Sequence, residues 1–435
     1  MTFFQKLLFI LIIFLSLWVR FYHYTYFPQR GATSDEYTYS FLGTSLLSQG
    51  VPVSWSAFRA YPKRIDLTID GIYFPIVSPY FDHPPGYALI LGSFLLASGQ
   101  AAFESQQLAT IRLMPIILST LTGILIFFFV KREYRFSVAI LSLFLYSTVT
   151  IFVMNQRVSV AENQLALLFV FAIYLFSRWK KKLTRRRVVA LGVIAGITFL
   201  TKIMGLSLLV FLVLLFLWNR VKYQYTCILV ITWMFFVGLL FIYAAYYDWQ
   251  LFWEIQALQS SRDIGPEALQ MLLLQPVIVN KVYYDGWYFV GFLALGFLSL
   301  NYKKHLLILI PATVYFLFLL SSLSQAGQSG WYMIPMFPFM VIATAIFVID
   351  VLKKKNVAFL IVCFLVGISQ IQYFFEPYFG FSSLTYRVLL GLLFLPLILL
   401  FLFKKDVWFG RLSFLYFIFF LLTTIVITYR YVHPS

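Results

Sequence analysis

A succession of apolar runs, each about 16–22 residues long, dominates this chain. In lipid every backbone N–H and C=O must be satisfied internally, so runs of this kind form helices that cross a bilayer. They do not alternate apolar and polar residues, which argues against a transmembrane barrel. Of the 435 residues 62% are hydrophobic and only 11% charged, where a soluble chain carries about a quarter. The pattern predicts an all-α, polytopic membrane protein with about thirteen transmembrane helices. They fall near 3–21, 111–130, 136–153, 163–178, 188–202, 204–219, 224–245, 287–301, 305–322, 332–352, 357–375, 384–403 and 411–430. The first run follows Lys6 without a small-residue cleavage site after it, so it reads as a retained helix rather than a signal peptide. Residues 1–435 read as one membrane-embedded domain with no C-terminal soluble domain. Its first outer loop, 22–110, carries juxtamembrane helices, and its second covers 246–286.

Residues 86–99 are apolar but short, about 21 Å as a helix. If they do not span, the basic clusters at 131–132, 178–187, 220–222, 303–304, 353–355 and 404–405 all share one side, which is then the cytoplasm. The segment therefore reads as an interfacial helix. The N-terminus is predicted on the cytoplasmic side of the cell membrane. Loop 22–110, turn 154–162, Lys202, loop 246–286 and turn 323–331 are predicted on the extracytoplasmic side. This pattern also accounts for the net charge of +17, and no nucleic-acid partner is expected. Cys227 and Cys363 lie in separate apolar runs and give no redox compartment.

The chemistry-bearing residues gather on that outer side. Thr33 and Glu36 fit a capping box, with the acid favoured by the helix dipole. Capping does not account for the adjacent Asp35, in a chain with only 16 acidic residues. Asp82-His83-Pro84-Pro85 precedes the 86–99 segment; Asp35, Asp82 and His83 could hold a divalent metal if they converge. Arg157 and Glu162 flank one turn, either as a salt bridge or with Glu162 as a second acid facing the first loop. Lys202 is either a snorkelling cation or a partner for an anionic phosphate. Tyr332, with Pro335 and Pro338, opens a span and could shape a cavity. The sequence has no P-loop, GxGxxG, HExxH, CxxC or GxSxG, so an enzyme of this kind would draw its activated substrate from the membrane.

Five stretches resemble, in order, the membrane glycosyltransferases of the GT-C fold. The likeness is to the bacterial branch related to dolichyl-phosphate-mannose protein mannosyltransferases and the aminoarabinose lipid A transferase. The stretches are Asp35-Glu36 with Tyr39 and Gly50; His83-Pro84-Pro85-Gly86-Tyr87; Arg112-Leu113-Met114-Pro115; Arg157 through Glu162; and Leu200-Thr201-Lys202. The second half is similar only in topology and around Tyr332. The resemblance implies a catalytic carboxylate at Asp35, supported by Glu36, Asp82, His83 and Glu162. It implies a polyprenyl-phosphate-linked sugar donor whose phosphate is held by Lys202, Arg157 and Arg112, and a substrate pocket with Tyr39, Tyr87 and Tyr332. Transfer would go to a lipid, glycan or protein hydroxyl, with inversion. Such transfer needs a base at the acceptor oxygen and positive charge on the departing phosphate. Many relatives carry Asp where this chain has Glu162. No cofactor is required by these residues beyond the metal already raised. The alternative reading is a lipid or glycolipid flippase, which would place charges near the midplane of several spans.

Overall fold

In the computed structural model, which describes residues 1–432 except 70, 262–264, 266, 324–328 and 376–381, all thirteen apolar stretches fall on helices. Six of these helices are long and apolar enough to cross a membrane: Phe3–Phe21, Leu108–Glu133, Tyr223–Tyr247, Tyr302–Leu320, Ser383–Leu402 and Asp406–Arg430. A seventh span arises if the pair Phe136–Thr148 and Thr150–Gln156, bent by 62°, counts as one. The other stretches form helices that are shorter or interrupted, as at Gly286–Ser299, or that carry charges at their ends, as at Ala161–Trp179. The sequence count of thirteen therefore becomes six or seven by length and apolarity.

The bend at Val149 exposes backbone groups that a continuous helix would satisfy. Arg20, fully buried at the end of the first helix, donates to the carbonyls of Tyr146 and Ser147. On the other side of the break, the Ile151 N–H donates to the Asp285 carboxylate at 3.3 Å. Thr428 donates to the Thr148 carbonyl at 2.6 Å. Three distant segments thus close one broken helix.

The first loop folds into a cap of two helices and a small sheet. The helix Asp35–Gln49 begins on an acidic pair, favoured by its dipole, and ends at Gly50 in the left-handed region (φ 69°), where glycine carries no Cβ penalty. It crosses Gly86–Ala97 at very close range. A Cβ on Gly43 would lie 1.9 Å from the Ala88 carbonyl oxygen, and one on Gly92 2.3 Å from the Gly43 carbonyl carbon. Only glycines allow that approach. Three antiparallel strands, β1 (Ser54–Trp55), β2 (Arg64–Ile69) and β3 (Ile72–Val77), pair in the order β1-β3-β2. Arg64 pairs with Val77 and Ile69 with Ile72. This sheet corrects the all-α expectation for the loop. The segment 64–69 alternates in polarity, and the Asp-Gly dipeptide after it is a strong hairpin signal.

Candidate active site

The cap and the helix ends beneath it enclose a cavity of about 500 Å³. Asp35 enters it from the first turn of its helix, Asp82 and His83 from the loop after β3, Glu162 from the start of Ala161–Trp179, and Lys202 from the residue after Arg185–Thr201. Tyr332 closes the floor. Residues separated by almost 300 positions in sequence thus share one space. One wall is apolar, with Ile203, Met204, Leu319 and Leu323.

The charges inside are organised. The Lys202 ammonium donates to Glu162 Oε1 at 2.5 Å and stands 5.1 Å from the centroid of the Tyr332 ring. Both partners are nearly buried, so the pair is screened far less than a surface pair. Glu162 Oε2 is buried with no hydrogen-bond partner among the described residues. On the opposite side Asp82 is fixed at both oxygens, accepting from Ser56 Oγ at 2.7 Å and from Tyr61 OH at 2.6 Å. Burial, then the Asp82 charge, pushes the Tyr61 phenol up, so it stays a donor. Its oxygen also accepts from the Phe81 N–H. From the second loop, the helix Trp249–Ser260 holds this turn by its backbone. Gln256 and Gln259 donate to the carbonyls of Phe81 and Asp82 at 3.0 and 2.6 Å.

Several expected site residues stand elsewhere. Glu36 does not cap its helix. Ser34 is the N-cap and makes no side-chain cap bond, while Thr33 Oγ1 accepts from the Asp35 N–H. Glu36 instead points away from the cavity into a fully buried, bidentate pair with Arg112, 2.8 Å at each oxygen, and accepts from the Ser159 N–H. Arg112 spends its other donors on the carbonyls of Tyr24 and Pro28. Arg157 bonds neither Glu162 nor the cavity. It donates to the carbonyls of Val19, Tyr22 and Phe27, closing the C-terminal end of the first helix. Neither arginine, each expected to hold a donor phosphate, lines the cavity: helix ends leave carbonyls unsatisfied, and these guanidiniums satisfy them. Lys202 alone of the three cations lines the cavity.

Of the tyrosines, Tyr332 is in the lining and Tyr87 is not; the latter is buried with its hydroxyl 2.8 Å from Ser159 Oγ. Tyr39 lies behind the lining, stacked on His83 at 5.4 Å. Burial, with the Glu162 and Asp35 charges beside it, holds its phenol well above its ordinary pKa. Among the described residues no group of three or more His, Cys, Asp or Glu side chains is placed to hold a metal ion. Asp35, Asp82 and His83 share the cavity without forming such a group, and both Asp82 oxygens are already engaged. Ser56, Tyr61, Gln256 and Gln259 carried no motif; only their place around Asp82 reveals them. Parts of the turn 323–331 and of loop 246–286 lie outside the described residues.

Residues 82–246 match the family model for dolichyl-phosphate-mannose-protein mannosyltransferase, less than half of the chain. No curated protein sequence matches. Among solved structures, ArnT from Cupriavidus metallidurans bound to undecaprenyl phosphate aligns with a TM-score of 0.58 at 13% identity, over 97% of this chain and 77% of that one. The archaeal oligosaccharyltransferase AglB from Archaeoglobus fulgidus, in complex with an inhibitory peptide and a dolichol-phosphate, aligns with a TM-score of 0.53 at 12% identity. That alignment covers all of this chain and 56% of AglB, so the chain spans about half the length of the oligosaccharyltransferase. The fold is that of the GT-C membrane glycosyltransferases, and the chain resembles the ArnT and mannosyltransferase group within it.

Proposed function

We propose that this GT-C chain is a membrane glycosyltransferase that moves a sugar from a polyprenyl-phosphate-linked donor to a hydroxyl of a lipid, glycan or protein acceptor. The observation that carries this is the shared cavity, with acids on the cap side and a single lining lysine beside an apolar wall. Asp35 is the base that takes the acceptor proton, in reach of general-base catalysis. Lys202 faces the departing phosphate, where negative charge develops. Because Glu162 already neutralises Lys202, the phosphate has to share or displace that carboxylate. The apolar wall of Ile203, Met204, Leu319 and Leu323 suits the first isoprene units of the donor. Asp82, held by Ser56 and Tyr61, stays a fixed acceptor for sugar hydroxyls. A base on one face and the phosphate site on the other supports direct displacement with inversion. The cavity opens to the extracytoplasmic side in this reading, because the basic clusters between helices then face the cytoplasm.

The flippase alternative is not favoured, because the oligosaccharyltransferase relative and the matching family are both transferases by description. The test is sugar transfer by the purified protein from a polyprenyl-phosphate sugar to a hydroxyl acceptor. Donor consumption that depends on Asp35 supports the proposal; lipid translocation without any transfer would sink it.

A further inference from the structure

We propose a binding site for an anionic phospholipid in the groove between the helices Phe337–Lys354 and Asp406–Arg430, on the face that carries the basic clusters. The groove has a volume of about 530 Å³. Lys355 and Arg411 stand in its wall, and Val407, Phe414 and Leu415 run along it. Positions 407, 411, 414 and 415 share one face of a helix. The three apolar side chains are each more than half exposed, so in a bilayer this stripe meets acyl chain.

The two cations are free to bind. Both are exposed, and neither makes a hydrogen bond or an ion pair among the described residues. Arg411 lies over the Trp408 ring at 5.0 Å, which steadies the guanidinium and leaves its N–H groups available. Among the described residues no carboxylate lines the groove. Asp350, on the first helix, is taken by Lys354 at 2.9 Å.

Lys355 is held in place at a cost. Its φ is 50°, in the left-handed region where glycine ordinarily ends a helix. Its stem crosses Gly410, where a Cβ would lie 2.9 Å from Lys355 Cγ and 3.1 Å from Cδ. The N–H groups of Lys355 and Asn356 satisfy the carbonyls of Leu352 and Val351 at 3.3 and 3.0 Å, so the helix end does not need the ammonium. The other wall is the start of its helix, whose dipole favours an anion. Arg220 and Lys404 take the same backbone conformation, after the helices Leu206–Trp218 and Ser383–Leu402. Among the described residues, three of the five non-glycine residues with positive φ are thus cations in the basic clusters.

Two unpaired cations at the head of an apolar stripe match a phosphodiester with acyl chains behind it. A zwitterionic headgroup would bring a further cation into a positive groove, and an anionic one does not.

The experiment uses the full-length protein in non-ionic detergent. Retention of added phosphatidylglycerol is compared with that of phosphatidylcholine of the same chain length by native mass spectrometry. The groove variant is Lys355→Gln/Arg411→Gln. The control Lys222→Gln/Lys303→Gln removes the same charge from exposed positions outside the groove. The wild type and the control should retain phosphatidylglycerol over phosphatidylcholine. The groove variant should bind phosphatidylglycerol about tenfold more weakly, the scale of a lost charge-assisted bond. Equal retention of the two lipids by the wild type, unchanged affinity in the groove variant, or an equal loss in the control overturns the site.

Discussion

Asp35 and Glu36 are neighbours in sequence and sit in opposite electrostatic settings. Adjacent residues on a helix diverge by about 100°, so one reaches the cavity and the other the helix bundle behind it. Around Asp35 the charged groups are arranged at an open space: Asp82, Glu162 and Lys202 share it. Around Glu36 everything is closed. Arg112 takes both its oxygens, Arg20 donates to carbonyls and to the Ser16, Ser119 and Gln156 side chains, and the terminal nitrogens of Arg157 donate to carbonyls. The first cluster has room for a substrate, while the second joins chain segments. Residue type does not separate the two roles; what separates them is whether the charged groups line a cavity or are enclosed between chain segments.

That contrast can be broken at five points. The largest effect is expected from Asp35→Asn. It should lower sugar transfer by about 10²–10⁴, the usual worth of a positioned base, while thermal unfolding stays where it was. A matching loss of stability would move Asp35 into the closed cluster. Arg112→Ala should do the reverse, leaving Glu36 buried and unpaired at a cost of about 3–5 kcal/mol, read by denaturant unfolding or loss of folded yield.

The third point concerns pH. Burial raises the Asp285 carboxyl from 3.8 to about 6, against the N–H groups of Trp287 and Ile151 that hold it. Its folded pKa lies above its unfolded one, so the folded state binds more protons in between. Stability should therefore fall as pH rises from about 4 to about 6, by up to about 3 kcal/mol. Asp285→Asn should flatten that slope in thermal unfolding. Fourth, Lys202→Ala should raise the donor KM about tenfold by removing the phosphate's partner; unchanged donor kinetics would take Lys202 out of the site. The smallest effect is expected for Tyr61→Phe. It removes one bond to Asp82 and should cost about 1 kcal/mol in stability or its equivalent in turnover.

Much of this is legible in the sequence. Apolar runs located the helices because lipid forces that length, and charge asymmetry with motif order gathered Asp35, Asp82, His83, Glu162 and Lys202. That Arg112 and Arg157 stand outside the cavity is not legible, because carbonyls at helix ends leave no trace in sequence. Glu36 was given a cap because Thr33 stands three residues before it, yet a buried arginine offers a carboxylate more than a backbone N–H does. The hairpin of β2 and β3 has its signal in the sequence, in the Asp-Gly dipeptide and the alternation of 64–69. Tyr61 and Gln259 could not have been found, since each acts only through the fold that brings it to Asp82.

The broken helix at Val149 has a consequence for how the chain could be divided. The short arm after the break leads towards Glu162, and the Ile151 N–H near its start is held by Asp285. Arg20 and Thr428 hold the carbonyls before it. The stretch that resembles the mannosyltransferases, 82–246, contains the arm but none of these three anchors. Cutting the chain to that stretch would leave the arm before Glu162 without these three anchors, so the matched stretch does not contain what holds its own broken helix.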